Sequence, residues 1–372
     1  MTDILTENLH IPSDTAGISL HLRHKRRTDL QVFGPDRTVL LMHGATLPAE
    51  SLFDVPVDDG SFMNSLAHQG FDVYALNVRG FGGSTRPAGM EGAPEDAPPQ
   101  VRTETAVRDL GSAVDHILAE RALSRLCLIG MSWGGTVTGA YTAANNGKIE
   151  KLTLIAPQWI NNGVTRLDPG GPIHAYRRFD VQAFRKHWLE GVSEDKCSEV
   201  LPSGWFEQWA QVILASDPKE HNGIIRAPAG VIQDVREFWS AGRSFYEPED
   251  ITVPVLLIHA EWDRDVTLEQ MVNLFPRFRN APFRRWVEIG EGTHMVIMER
   301  NRWQILESIG AFLDIRTHSI FRGTKATHGE REGHVIDVCP EDFRSAISEE
   351  STSLCLGLYA ATLSPVRKRR RL

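Results

Sequence analysis

One pentapeptide constrains this chain more than any other stretch: Gly130-Met131-Ser132-Trp133-Gly134. Five letters of the form Gly-x-Ser-x-Gly recur by chance, so the flanks decide what they mean. Residues 125–129 read as a short buried strand, and residues 133–148, rich in Gly and Ala, as a helix packed closely on a sheet. A strand that turns into a helix across one exposed serine leaves no room for a Cβ on either side, which explains the two glycines. The bland alternative is a βα turn whose serine does nothing, and the strand and helix on either side argue against it.

A parallel sheet needs more strands with crossovers between them. Residues 38–42 form a buried apolar run ending in His43-Gly44-Ala45, and residues 253–259 another, ending in Ala260-Glu261-Trp262-Asp263. A third, 283–289, ends in Gly290-Glu291-Gly292-Thr293-His294. Residues 18–27 alternate apolar and polar, which predicts an early antiparallel strand or hairpin. A helix over 61–69, a strand over 71–78, a helix over 103–123 and a strand over 151–156 continue the pattern. Helices over 268–275 and 295–313 complete it. Alternation of this kind predicts a mostly parallel sheet covered on both faces.

The order Ser132, Asp263, His294, each at a strand end, resembles the α/β-hydrolase superfamily from about residue 18 to 313. The resemblance implies an α/β-hydrolase fold: a mostly parallel central sheet with helices on both faces and an inserted helical cap. It implies Ser132 as nucleophile, His294 as base and Asp263 as the acid that orients the base. Asp265 stays a close rival to Asp263, although the Gly-x-x-Asp pattern of the family, here Ala260-Glu261-Trp262-Asp263, favours the earlier residue. The backbone N–H groups of Ala45 and Trp133 are the implied oxyanion donors. His43 matches the His-Gly that precedes the oxyanion loop, where shaping the turn is its expected role. His43, Trp159 and Trp262 are also candidates for the substrate pocket. The Arg79-Gly80-Phe81-Gly82-Gly83-Ser84 string is similar to an Arg-Gly-x-Gly-x-Ser loop of the superfamily, with Asn77 where Asp is frequent. It lacks the Gly-Lys-Ser/Thr of a phosphate-binding loop.

The chemistry supports that assignment. A serine hydroxyl needs a base within hydrogen-bond reach, and the base needs a group that fixes its tautomer and stabilises its cation. Asp263 and His294 lie one loop–helix–strand–loop unit apart, so both emerge on the same sheet edge. Serine at the turn, rather than Asp or Cys, points to acyl transfer to water.

Composition excludes other classes. A net charge of −8 argues against nucleic-acid binding, and no apolar run reaches the roughly 18 residues of a membrane span. The first fifteen residues carry no apolar run, so no signal peptide is expected, and the four scattered cysteines suit reduced, cytoplasmic thiols. No metal-ligand spacing is present, and no cofactor is expected.

Core segments are expected at 1–158 and 251–313, with the cap at 159–250. Trp188, Trp205, Trp209, Trp239, Phe184, Phe206, Phe238 and Phe245 crowd the cap, with helix-like patterns and no clear buried strand. Most of these rings would form its own small core, and a minority would line an apolar pocket. Residues 314–372 read as an extension of uncertain order. They carry ten Lys/Arg against eight Asp/Glu and end in a basic run, so a solvated terminus is the simplest reading. A chain stopped near Thr317 should keep its activity.

The resulting expectation is a soluble serine hydrolase acting on a small uncharged carboxylic ester through an acyl-enzyme. A C–C bond hydrolase or lactonase with the same triad is the enzymatic alternative. A non-catalytic ligand-binding protein of the same fold is the other. A cationic anchor among Arg177, Arg178 and Arg185 is the feature that would reverse the preference for uncharged substrates. Oligomeric state is open.

Overall fold

Thr38–Met42 is buried along its whole length, and its side chains divide cleanly between two faces. Val39 and Leu41 enter one core cluster, Leu40 and Met42 the other. That is the behaviour of a central strand covered on both sides. The computed structural model describes residues 3–58, 60–161 and 165–315, which fall in one compact unit.

Among the described residues, ten strands, numbered in chain order, build two sheets. The large sheet holds β1 (Ile4–Pro12), β2 (Ser19–Arg27), β3 (Thr38–Met42), β4 (Asp72–Asn77), β5 (Leu126–Met131), β6 (Ile149–Ile155), β9 (Val255–Ala260) and β10 (Arg284–Ile289). Their spatial order is β1-β2-β4-β3-β5-β6-β9-β10. The first two pairings, β1 with β2 and β2 with β4, are antiparallel, and every later pairing is parallel. The chain leaves β3 toward β4 on one side and returns to β5 on the other, so a topological switch point opens between β3 and β5, where Met42 pairs with Gly130. Open α/β sheets bind ligands at such a crevice, beyond the C-terminal strand ends.

Helices cover both faces. Thr103–Arg121 and Trp133–Ala144 pack on one, with Leu110, Val114, Ile117 and Val137 in its core. Phe62–His68 and Arg302–Leu313 pack on the other, through Leu66, Ile305, Ile309 and Phe312. Residues 295–313 are not one helix as expected. A short 3-10 turn, Val296–Met298, precedes Arg302–Leu313, because Glu299 turns inward to be fully buried.

Three of these strands escaped the sequence. The edge strand β1 is largely exposed and polar, with Glu7 and Asn8 at its centre, so it has no apolar run to betray it. Between β6 and β9 the insertion is helical, with Val181–Trp188 and Trp205–Ala215 as its longest helices. It also carries an antiparallel ribbon, β7 (Tyr176–Asp180) with β8 (Ile224–Pro228), where a strand-free segment was expected. Charged Arg177 and Arg178 at the middle of β7 conceal it. Two 3-10 turns, Ala88–Met90 and Pro94–Asp96, lie between β4 and the helix Thr103–Arg121, with Met90 fully buried against Ala175 and Tyr176.

Phe184, Trp188, Phe206 and Trp209 stack on one another with ring centroids 5.4–6.4 Å apart. These rings form the insertion's own core, continuous with one face of the sheet. No helix among the described residues is long and apolar enough to cross a membrane. The basic terminus lies outside the described residues.

Candidate active site

Ser132 sits between β5 and the helix Trp133–Ala144 with φ +56° and ψ −123°, a conformation that L-residues rarely adopt. Neighbouring backbone holds it there. Its N–H donates to the Ile155 carbonyl at 2.9 Å, and its carbonyl accepts from the N–H groups of Gly135 and Gln158. A Cβ on Gly130 would lie 2.3 Å from the Gly134 carbonyl oxygen, and one on Gly134 would lie 2.4 Å from the carbonyls of Met42 and His43. Those obstacles are backbone and cannot swing away. Gly134→Ala should therefore destabilise the protein by about 1–3 kcal/mol, the usual range for overpacking, read as a lowered midpoint in urea. An unchanged midpoint would show that β3 and the turn are not in such close contact.

His294 lies in the loop after β10. Its Nδ1 donates to Asp263 Oδ2 at 2.8 Å, and that carboxylate is fully buried. The other oxygen of Asp263 accepts from the N–H groups of Asp265 and Val266, at 2.9 and 2.8 Å. Asp263 is thus held by the loop it begins. Ser132 and His294 line one cavity of about 360 Å³. Neither the Ser132 hydroxyl nor His294 Nε2 has a hydrogen-bond partner among the described residues, an arrangement common before substrate binds.

Burial opposes a charge on His294, but Asp263, and after it Asp265 and Glu299, outweigh burial and hold the imidazole up at about 9. Glu299 is a residue the sequence did not single out. It accepts from Trp188 Nε1 at 2.8 Å and from the N–H and hydroxyl of Thr293, so it ties the insertion to the histidine loop. Burial pushes its carboxyl up to about 7 against those bonds.

The Ala45 and Trp133 N–H groups donate to nothing among the described residues. Ala45 follows β3 and Trp133 opens the helix after Ser132, so both stand at the switch point. Trp133 is itself held by its indole N–H, which donates to Thr103 Oγ1 at 2.8 Å.

The three proposed pocket residues are placed differently. His43 is fully buried and does not line the cavity. Its Nδ1 donates to the Gly44 carbonyl at 2.7 Å and its Nε2 accepts from the Val78 N–H, so both ring nitrogens are spent on the turn. Burial holds its pKa down at about 4. Trp159, 1% exposed, packs edge-on against Tyr246 in the core. Trp262 lines an adjoining hollow of only about 10 Å³, room for no more than one water.

The cavity wall is also more charged than an apolar pocket. Leu47, Leu52, Met131, Phe179 and Phe184 share it with Arg166, Arg177, Arg178, His187, Asp180 and Asp265. Arg166 Nε pairs with Asp265 at 3.1 Å, and its Nη2 donates to His187 Nδ1 at 2.9 Å. The His187 Nε2–H then donates to Asp265 Oδ2 at 3.0 Å. Arg185 points elsewhere, over the ring of Phe206.

Residues 34–301 match the family model Hydrolase_4, described as serine aminopeptidase, S33. No curated protein sequence matches the chain. Among solved structures, a thermophilic esterase from Thermogutta terrifontis superposes with a TM-score of 0.52 at 17% identity, covering 82% of this chain and 98% of that one. A serine hydrolase from the polyaromatic-hydrocarbon-degrading bacterium Cycloclasticus zankles gives 0.55 at 18%, covering 84% and 98%. The 2-hydroxy-6-oxo-6-phenylhexa-2,4-dienoate hydrolase of Rhodococcus sp. strain RHA1 gives 0.51 at 18%, covering 82% and 98%. At these identities the likeness is one of fold. The family match spans most of the chain, and with it the protein belongs to the serine aminopeptidase S33 family of α/β hydrolases.

Proposed function

We propose that this hydrolase cleaves a carboxylic ester through a Ser132 acyl-enzyme, with His294 as general base and Asp263 orienting it. The observation that carries this reading is the Asp263–His294 hydrogen bond beside a serine held at positive φ, with both Ser132 and His294 on one cavity wall. Ser132 Oγ attacks the carbonyl carbon as its proton passes to His294 Nε2. The carbonyl oxygen takes the negative charge between the N–H groups of Ala45 and Trp133. Collapse expels the alcohol, which leaves with the proton from His294. Water, deprotonated by the same imidazole, then releases the acid and restores the serine.

Cleavage beside a free amino terminus is disfavoured. An α-ammonium would be best held by an unoccupied buried carboxylate, and of the two in the cavity wall Asp180 is exposed and Asp265 is engaged. Asp180 accepts from the N–H groups of Gln182 and Ala183, and Asp265 is paired with Arg166 and His187.

A fluorophosphonate should label the protein once, on the peptide carrying Ser132, and His294→Ala should abolish that labelling. A label elsewhere, or none, would remove Ser132 from its role. The pH dependence tests the base. His294 must be neutral to accept a proton, and the neighbouring carboxylates favour its cation. Activity (kcat/KM) should therefore rise with pH above 7, pass its midpoint near 9 and level off only above that. Asp265→Asn removes one of those charges and should move the rising limb to lower pH. A limb that stays in place would show that Asp265 does not act on His294.

A further inference from the structure

The wall of the cavity that holds Ser132 carries a guanidinium that no carboxylate among the described residues balances. Arg177 is the second residue of β7, and its Nη2 donates to the Ala45 carbonyl at 2.9 Å and to Thr46 Oγ1 at 3.0 Å, both neutral acceptors. Its Nε is buried with no partner. Among the described residues no carboxylate comes within 4.0 Å of it, whereas Arg79 meets Asp109 and Arg226 meets Asp217. Burial without a counter-charge holds the Arg177 guanidinium down at about 10. A buried charge left unpaired is costly, so its presence beside the reacting serine calls for a partner that arrives with the substrate. Arg178, exposed and likewise without an ion-pair partner among the described residues, lines the same cavity.

We propose that Arg177 is an anion anchor and that the preferred substrate is an ester bearing a carboxylate a short distance from the scissile carbonyl, as in the half-ester of a short dicarboxylic acid. The distance is short because Arg177 binds the carbonyl of Ala45, the residue whose N–H is the proposed oxyanion donor. A carboxylate bridged to Arg177 therefore places its own chain across one peptide unit from the reacting oxygen. This inference rests on the Ser132 reading, and it replaces the expectation of an uncharged substrate with a singly anionic one. A planar guanidinium suits a carboxylate in two-point contact, which a lysine cannot reproduce.

Ethyl half-esters of glutarate, set against the ethyl ester of glutaramate, differ only in the charge of the distal group. The full-length protein should favour the half-ester in kcat/KM by about tenfold or more, the scale of one charge-assisted hydrogen bond. In Arg177→Gln the ratio should fall toward one, chiefly through KM, and Arg177→Lys should recover part of it. Equal or better use of the amide by the unmodified protein overturns the proposal. So does a ratio that survives Arg177→Gln but collapses in Arg178→Gln. A binding arm needs neither turnover nor a mutated arginine: glutarate should protect Ser132 from fluorophosphonate, and glutaramate should not. If the unmodified protein takes no label, the Ser132 reading fails by itself. The anchor is then decided by calorimetry, with glutarate binding and glutaramate not binding as its expected result and equal binding of the two as its refutation.

Discussion

Ser132→Ala should lower ester turnover by about 10⁴-fold or more, the scale seen when a nucleophile is removed from a triad, while the protein still unfolds within a few degrees of the unmodified one. Two features separate these effects. The hydroxyl makes no hydrogen bond among the described residues, so its loss breaks no structural contact. The strained φ of +56° is imposed by the Ile155 carbonyl, the Gly135 and Gln158 N–H groups and the close glycines, all of which remain. Alanine tolerates that backbone no worse than serine does. Residual hydrolysis would come from the oxyanion donors and from substrate binding alone. A variant that kept a tenth of the turnover would transfer the nucleophile elsewhere, and a variant that unfolded would show the serine to be structural. Activity measured beside a urea titration of the same sample distinguishes these outcomes.

What the sequence made legible follows from where apolar residues are consecutive. The inner strands β3, β4, β5 and β9 are buried throughout and announce themselves as unbroken runs. The residues at their ends could then be read by position, which is how Ser132, Asp263 and Ala45 came to attention. β10 is a weaker case, because Arg284, Arg285 and Glu288 are exposed on it, and its loop was found through the Gly290-Glu291-Gly292-Thr293-His294 string that closes it. Where burial is partial the signal fades. β1 is a polar edge strand and β7 is half-exposed, with two arginines at its centre. Arg177 was one of several basic residues in a segment read as helical. Only the pairing of β7 with β8 carries it over the Ala45–Thr46 loop, and only the positions of the described carboxylates show that none of them pairs with it. Glu299 was hidden for a related reason. A lone glutamate five residues after the histidine looks like solvent-facing helix, until the short turn at Val296–Met298 directs it inward to Thr293 and Trp188. The aromatic residues misled in the opposite sense. Trp159 stands next to the strand end that packs on Ser132, yet its size is used in the core against Tyr246 rather than in the cavity.

Asp263→Asn should cost about 10⁴-fold in turnover, by analogy with the loss of the orienting acid in serine-protease triads, whereas Asp265→Asn should stay within about tenfold. The asymmetry comes from hydrogen-bond direction. Asp263 Oδ1 accepts two backbone N–H bonds, from Asp265 and Val266, and its Oδ2 accepts from His294 Nδ1. Asparagine has one oxygen, and the two backbone donors claim it. The amide nitrogen then faces His294 Nδ1 and donates, so the imidazole must carry its proton on Nε2. In that tautomer it cannot take the proton of Ser132. Shape and burial are retained, so stability should change far less than activity. Asp265 makes no hydrogen bond to the imidazole. It pairs with Arg166 at 3.1 Å and His187 at 3.0 Å, and acts on His294 only as a nearby charge. Its replacement should lower the pH at which the base becomes neutral and loosen the Arg166–His187 cluster, without disturbing the tautomer. The two variants assayed side by side across pH decide the assignment. A large loss in Asp265→Asn with a small one in Asp263→Asn would transfer the orienting role to Asp265, and would require the loop after β9 to rearrange so that Asp265 reaches His294 Nδ1.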